Sequence, residues 1–317
     1  MNFFIIYRSP LFKMSQPTLL LSSGGQRSAY MQGFLKAVDY KDWEHVFGIS
    51  AGAMLGALIA QTEKAEFSEE ISKLMKMHVE ILKPHVSSTI LSQKLSSVLN
   101  LVSAIFWHTS IYKSKLRQVI EMVWKKKPHK KLVVGSYNVT EGKYRMKKNP
   151  DITDIVASAS IPVVFPSVTI DGNEYVDGAV AHTIPIEELK TYYNGGDIYV
   201  MLCYQTDHDK FKKSMADNRR KLLGRVYSTI DESTWNTMNR DLDDLADFLG
   251  LTREQVRISG QHTFNNETYS GTLYMFIPNE CRYIDLNCSN YHVISEMQGH
   301  GMDVASRVMS INGNANS

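Results

Sequence analysis

The sequence predicts an α/β fold built on a mainly parallel central sheet. Three observations predict it. Short apolar runs of strand length alternate along the chain with stretches whose apolar residues recur at helical spacing. Two of those runs end in glycine-bearing turns that lead directly into helical patterns. The run Asp197–Tyr204, "DIYVMLCY", is almost continuously apolar, as expected of a strand covered on both faces. The 317 residues fit one large domain or two small ones, and a hydrophobic content of 43% is enough for a sizeable core.

Residues 1–16 read as an N-terminal extension. They are apolar but lack a basic leading region, and Arg8 and Pro10 interrupt them, so they make a poor signal peptide. A single domain is expected over 17–310. "TLLLSS" (Thr18–Ser23) is a buried first strand, "GGQ" a turn, and "RSAYMQGFLKAVDY" a helix with Met31, Phe34, Leu35 and Val38 on one face. "HVFGIS" is a second strand. Ala51–Gln61 is a second helix, apolar all round and therefore buried, with Gly52, Ala53, Gly56 and Ala57 as a small-residue face.

Residues 63–128 read as helices with mixed faces, an insertion forming a helical cap. No run of about 18 apolar residues occurs, so no membrane-spanning helix is predicted. The nearest candidate, Leu95–Tyr112, is broken by Asn100 and His108. Lys131–Thr140 is a strand, and "EGKYR" a turn into another. Asp151–Ile161 is a helix with Asp151 as its N-cap. "VTIDGNEYVDG" is a hairpin closed by Asp-Gly. Residues 205–265 read as a charged helical segment, Thr272–Asn279 as a late strand, Ile294–Ser310 as a last helix and 311–317 as a flexible tail.

A net charge of +2 gives no argument for nucleic-acid binding. Cys203, Cys281 and Cys288 have neither zinc-ligand nor disulfide spacing, which suits a reducing, cytoplasmic setting.

Gly48-Ile49-Ser50-Ala51-Gly52 fits a nucleophile elbow, in which a sharp strand-to-helix turn exposes a serine and flanking side chains would collide with neighbouring elements. The plain alternative is a tight turn that happens to hold serine. Asp177 in "YVDGAV" lies at a turn after a short strand, where a carboxylate can accept a hydroxyl proton directly. Asp-Gly is equally a common turn pair. A histidine-containing triad finds no convincing motif, His182 being the nearest candidate. Gly24 and Gly25 end the first strand, and the backbone N–H groups of such a turn can hold an oxyanion. They could also cradle a phosphate, but neither Gly-x-Gly-x-x-Gly nor Gly-Lys-Ser/Thr is present. Arg27 either shapes this loop, attracts an anion, or is an exposed arginine in the first helical turn.

Together, "SSGGQRSAYMQGFL", "FGISAGAMLGAL" and "ASASIPVVFPSVTIDGNEYVDGAVAHTIPIEEL" resemble the patatin-like phospholipase family, its bacterial branch in particular, over residues 17–204. The resemblance implies a three-layer α/β/α fold, hydrolysis of lipid esters through an acyl-enzyme, and no metal or other cofactor. It implies a dyad of Ser50 as nucleophile and Asp177 as base. Gly24, Gly25, Gln26 and Arg27 would form the oxyanion hole, with Gln26 and Arg27 acting through their backbone N–H groups. The family's loop usually reads Gly-Gly-Gly-x-Arg/Lys-Gly; here Ser23 and Ser28 replace its first and last glycines, and serine tolerates positive φ less well.

The partner so implied is a phospholipid or other lipid ester. The apolar residues between 84 and 124 suit an acyl channel or a bilayer contact, or equally ordinary helical packing. "WKKKPHKK" (Trp124–Lys131) places five lysines in eight residues, a peripheral attraction for anionic head groups or a solvated loop. Two other readings remain open: an esterase or thioesterase for small soluble substrates, and a non-catalytic lipid-binding module that keeps the fold.

Overall fold

The computed structural model describes residues 16–38, 41–81, 117, 120–121, 124, 131–162, 165–215, 222–280 and 291–311. The N-terminal extension, the acyl-chain residues of the expected cap, most of the lysine run, Cys281, Cys288 and 312–317 lie outside them. The strands are β1 (Thr18–Leu21), β2 (His45–Ile49), β3 (Lys131–Asn138), β4 (Lys143–Lys148), β5 (Val168–Ile170), β6 (Asn173–Asp177), β7 (Ile198–Met201), β8 (Gly260–Asn265) and β9 (Ser270–Phe276). Among the described residues they form one nine-stranded sheet in the order β5-β6-β3-β2-β1-β7-β9-β8, with β4 also paired to β3. The centre, β3-β2-β1-β7-β9, is parallel. The margins are antiparallel hairpins.

The helices are α1 (Ser28–Ala37), α2 (Ala51–Gln61), α3 (Phe67–Ile81), α4 (Ile152–Ser158), α5 (Ile186–Tyr192), α6 (His208–Met215), α7 (Leu222–Leu249) and α8 (Tyr291–Ser310). Alternation along the strands assigns their sides. A Cβ on Gly56 of α2 would meet Leu132, Val46 and Leu21, so those residues face α2. Phe47, one residue on from Val46, meets Tyr192 of α5 on the opposite face. Helices therefore cover both faces, which makes three layers. Leu19, Leu20, Leu21, Val46, Phe47, Val133 and Val200 are fully enclosed between them. None of the described helices is long and apolar enough to cross a membrane.

Most elements fall where the sequence places them. In α2 every residue except Met54 is buried, in keeping with its all-round apolar character. The β5–β6 hairpin turns at Asp171 and Gly172, both at positive φ. The helical reading of 205–265 needs correction: α6 and α7 occupy much of it, but Gly260–Asn265 is strand β8, antiparallel to β9. Its "GQHTF" has no clean alternation, since an edge strand is stabilised by pairing with a buried neighbour rather than by its own pattern.

The feature that positions the site is the shared edge of β3. Gly135 pairs with Ile49 of β2 and with Met146 of β4, while Ser136 pairs with Asp177 of β6 and with Arg145 of β4. A strand has only two edges. Because β4 holds one of them over Val133–Asn138, β2 and β6 must follow one another along the other. β2 runs up to Ile49, β6 runs down to Asp177, and their ends meet at Gly135 and Ser136.

α4 stands behind this junction. The Asp151 side chain accepts from the Thr153 and Asp154 N–H groups, and Asp154 accepts in return from the Asp151 N–H, a reciprocal cap. Asp154 also pairs with Arg145 of β4 at 2.9 Å. Asp151→Ala should lower stability by about 1 kcal/mol in denaturant titration; an unchanged midpoint would show that the Arg145 pair alone fixes this helix.

Candidate active site

Ser50 sits at the head of α2 with φ 58° and ψ −124°, a conformation that non-glycine residues seldom adopt. Its surroundings hold it there. The Ser50 N–H donates to Ser158 Oγ at 3.0 Å, and the Ser158 hydroxyl donates to the Gly135 carbonyl at 2.6 Å. The Ser50 carbonyl accepts from the Ala53 and Met54 N–H groups. The flanking glycines have no alternative. A Cβ on Gly48 would lie 2.4 Å from the Gly52 carbonyl oxygen, and one on Gly52 would lie 2.3 Å from that of Leu21. Both glycines of the expected elbow are thus required by backbone contact.

Asp177 ends β6 and is 1% exposed. Its N–H donates to the Ser160 carbonyl, and its Oδ1 accepts from the Ala179 N–H at 2.8 Å. Oδ2 is buried without a regular hydrogen bond. Burial pushes the carboxyl up to about 7, against the Ser50 hydroxyl and then the Ala179 N–H, which both favour the charged form. The Ser50 hydroxyl therefore lies close enough to Asp177 to favour its ionised form.

The glycine loop emerges beside the elbow because Leu21 of β1 pairs with Gly48 of β2, one strand spacing away. Gly24 packs against Cys203, where an added Cβ would lie 2.2 Å from that side chain's own Cβ, and Gly25 has φ 52°. Ser28 is helical at φ −56°, and Ser23 has no positive φ. The two serines that replace glycines therefore bear no backbone strain. The Ser23 N–H donates to the Thr183 carbonyl at 2.9 Å, which ties this loop to the segment after Asp177.

Arg27 ties the loop together through both backbone and side chain. Its N–H donates to the Gly24 carbonyl and closes the loop's own turn. Its side chain is buried rather than solvent-exposed. It makes two 2.9 Å bonds to Asp231 of α7 and lies 4.9 Å from the centre of the Tyr204 ring. The side chain thus shapes the loop, one of the parts the sequence left open, rather than standing in solvent.

His182 bonds through Nδ1 to Asp241 Oδ1 at 2.9 Å, and its ring meets Tyr144 edge-on. It makes no bond to Ser50 among the described residues. Asp241, fully buried, also accepts from the Thr183 and Ile184 N–H groups. Beneath Gly135, the Tyr144 hydroxyl donates to Glu188 at 2.7 Å, and burial pushes this carboxyl up to about 7. No cluster of three or more His, Cys, Asp or Glu side chains able to hold a metal occurs among the described residues.

Ser158, Asp231, Tyr204 and Asp241 escaped the sequence reading, since each lies in an ordinary helix or strand pattern with no local motif. Ser158→Ala would strand the Ser50 N–H and release the Gly135 carbonyl. Equilibrium unfolding should register a loss of roughly 1–3 kcal/mol, with a parallel fall in reactivity at Ser50; a variant as stable and reactive as wild type would remove Ser158 from the elbow's support.

Comparison with known proteins adds three findings. The chain is 26% identical over 191 residues to a protein of Invertebrate iridescent virus 6 named probable lipid hydrolase 463L. That match takes in 56% of this chain and 64% of the viral protein, so it spans less than two-thirds of the relative's length. The crystal structure of VipD from Legionella pneumophila aligns with 94% of this chain and 67% of its own, at 14% identity and a TM-score of 0.40. The family model for patatin-like phospholipases matches residues 19–190, more than half of the chain and a span that takes in the glycine loop, Ser50 and Asp177. The chain belongs to the patatin-like phospholipase family.

Proposed function

We propose that the protein is a serine acyl hydrolase of phospholipids or related lipid esters, with Ser50 as nucleophile and Asp177 as the base that serves it. The observation that carries this reading is the end-to-end meeting of β2 and β6. It sets a strained serine beside a buried carboxyl that has one oxygen otherwise uncommitted. Family membership and a relative named as a lipid hydrolase support the same chemistry.

In this mechanism the Ser50 hydroxyl attacks the ester carbonyl while Asp177 takes its proton. The carbonyl oxygen becomes an oxyanion, received by the amides of the Gly24–Gly25–Gln26 loop, while the dipole of α2 favours negative charge beside Ser50. Collapse breaks the ester C–O bond, and Asp177 returns the proton to the departing alcohol oxygen. Water then attacks the acyl-Ser50 ester with Asp177 again as base, releasing the fatty acid and restoring the serine.

A carboxyl near pH 7 suits this part, because a base works best when its pKa is close to the operating pH. Family membership and the relative's name favour a lipid over a small soluble ester. Val180, three residues beyond Asp177 in the 3-10 turn Gly178–Val180, leaves 49% of its surface in solvent and is the apolar contact on which a lipid approach can be tested.

The first experiment combines a fluorophosphonate probe with labelled phospholipid vesicles. Labelling should vanish in Ser50→Ala, and fatty-acid release in both Ser50→Ala and Asp177→Asn, with all proteins folded; a Ser50→Ala protein that still labels would place the nucleophile elsewhere. The kcat/KM profile should rise with pH to a midpoint near 7 as Asp177 loses its proton. That midpoint should persist in Glu188→Gln, whose carboxyl is also held near 7; its disappearance there would assign the titration to Glu188. Val180→Asp should weaken hydrolysis of vesicles while sparing a short soluble ester, whereas equal effects on both would count against an approach to a lipid surface.

A further inference from the structure

We infer that α7 is the brace of the active site, and that Asp231 is a positioning residue that fixes the oxyanion loop through Arg27. This rests on the acyl-hydrolase reading above. Asp231, Thr234, Met238 and Asp241 recur at spacings of three and four, so they share one face of the helix. The polar members of that stripe reach the site at two places, Arg27 and the segment around Thr183. Asp231 takes both terminal nitrogens of Arg27 at 2.9 Å. It also accepts from the Tyr204 hydroxyl at 3.1 Å, and Tyr204 in turn lies under the guanidinium. The Thr234 carbonyl accepts from the Thr183 hydroxyl at 3.2 Å. Asp241 holds His182, Thr183 and Ile184, the segment that follows the Asp177 turn. Arg240, beside it, donates to the Ala181 carbonyl.

The two loops are also joined to each other, since Thr183 is where Ser23 donates. Two chains of bonds thus leave the oxyanion loop, one through Arg27 and one through Thr183, and both end on α7. The loop needs such an anchor. It carries two consecutive glycines, one at positive φ, yet donors to an oxyanion must be held to within about half an ångström.

The energetics favour a geometric role over a stabilising one. Arg27 and Asp231 are both largely buried, with side chains 7% and 12% exposed. Burying two charges costs about as much as their attraction returns, so well-packed apolar residues can replace such a pair without loss of stability. What apolar residues cannot reproduce is a two-pronged, directional hold on the turn that ends at Arg27.

The test compares wild type with the double variant Arg27→Met/Asp231→Leu and with the single variant Arg27→Lys, which keeps the charge but loses the fork. Melting temperature, kcat and KM on a soluble nitrophenyl ester, and the rate of fluorophosphonate labelling at Ser50 would be read for each. The double variant should melt close to wild type, lose about tenfold or more in kcat and in labelling rate, and keep KM within about twofold. The pH midpoint near 7, set by Asp177, should not move. Arg27→Lys should fall between the two, and it decides the matter if the double variant does not fold. Wild-type kcat and labelling in a folded double variant, or in Arg27→Lys when the double variant is unfolded, would overturn the inference. So would a loss confined to KM. A wild-type protein that neither labels nor turns over would instead fail the acyl-hydrolase reading, and this inference would fall with it.

Discussion

The arrangement depends on two strands sharing one edge of β3. Where β2 stops at Ile49, β6 begins to pair, and it leaves at Asp177 one step further along. Neither strand can slide. Moving β2 by one residue would turn Phe47 and Ile49 toward α2 and drive the Gly48 side out of contact with it, because side-chain direction alternates with period two. Moving β6 would lift the Asp177 N–H off the Ser160 carbonyl. Register, and through it the burial of the core, is what sets Ser50 beside Asp177. The local turns then supply the orientation: φ 58° at Ser50, and the Oδ1 bond to Ala179 that leaves Oδ2 turned toward other use.

Burial at that junction has two consequences of opposite sign. It raises Asp177 from its ordinary 3.8 to about 7. Between roughly pH 4 and pH 7 the folded protein therefore retains a proton that the unfolded chain has lost, so this group's contribution to stability declines as pH rises across that window and is level above it. Proton acceptance needs the ionised form and so improves across the same window. The proposed base is thus gained at the expense of stability, and the Ser50 hydroxyl and the Ala179 N–H, which both favour the charged form, limit how far that goes. Strain at the elbow has the same character: a residue in a sparsely populated backbone region persists only where its neighbours over-determine it, here through Ser158, Gly135 and the first turn of α2.

Much of the architecture was legible in the sequence because it is written in local chemistry. A continuous apolar run bounded by glycine gives β1 and β2, the all-apolar stretch gives α2, and Asp-Gly between β-prone flanks gives the β5–β6 turn. Ser50 and Asp177 stood out for the same reason, each lying in a short motif whose geometry is local. Strand β8 did not stand out, as its pairing with β9 is decided by a distant partner. Nor did Asp231 or Asp241. Both lie in a helix with many acidic residues, and although their spacing from Met238 puts them on its face, no local motif marks a carboxylate there as one that is buried and paired. Whether the Arg27 side chain shapes the loop or stands in solvent stayed open for the same reason, since its partner Asp231 is 204 residues away.

The substitution of Ser23 and Ser28 for glycines can be argued from the same tethers. A glycine is indispensable only where φ is positive or a Cβ has no room, and in this loop those conditions fall on Gly25 and Gly24 respectively. Ser28 has already entered α1, and Ser23, two residues past β1, has no positive φ and commits its N–H to Thr183. The loop thus keeps glycine at its two demanding positions and accepts serine at both flanks, where the backbone is set by its connections to β1, α1 and α7. An active-site loop anchored from outside in this way needs little conformational freedom of its own, and its sequence can drift from the family pattern wherever an anchor, rather than a glycine, determines the backbone.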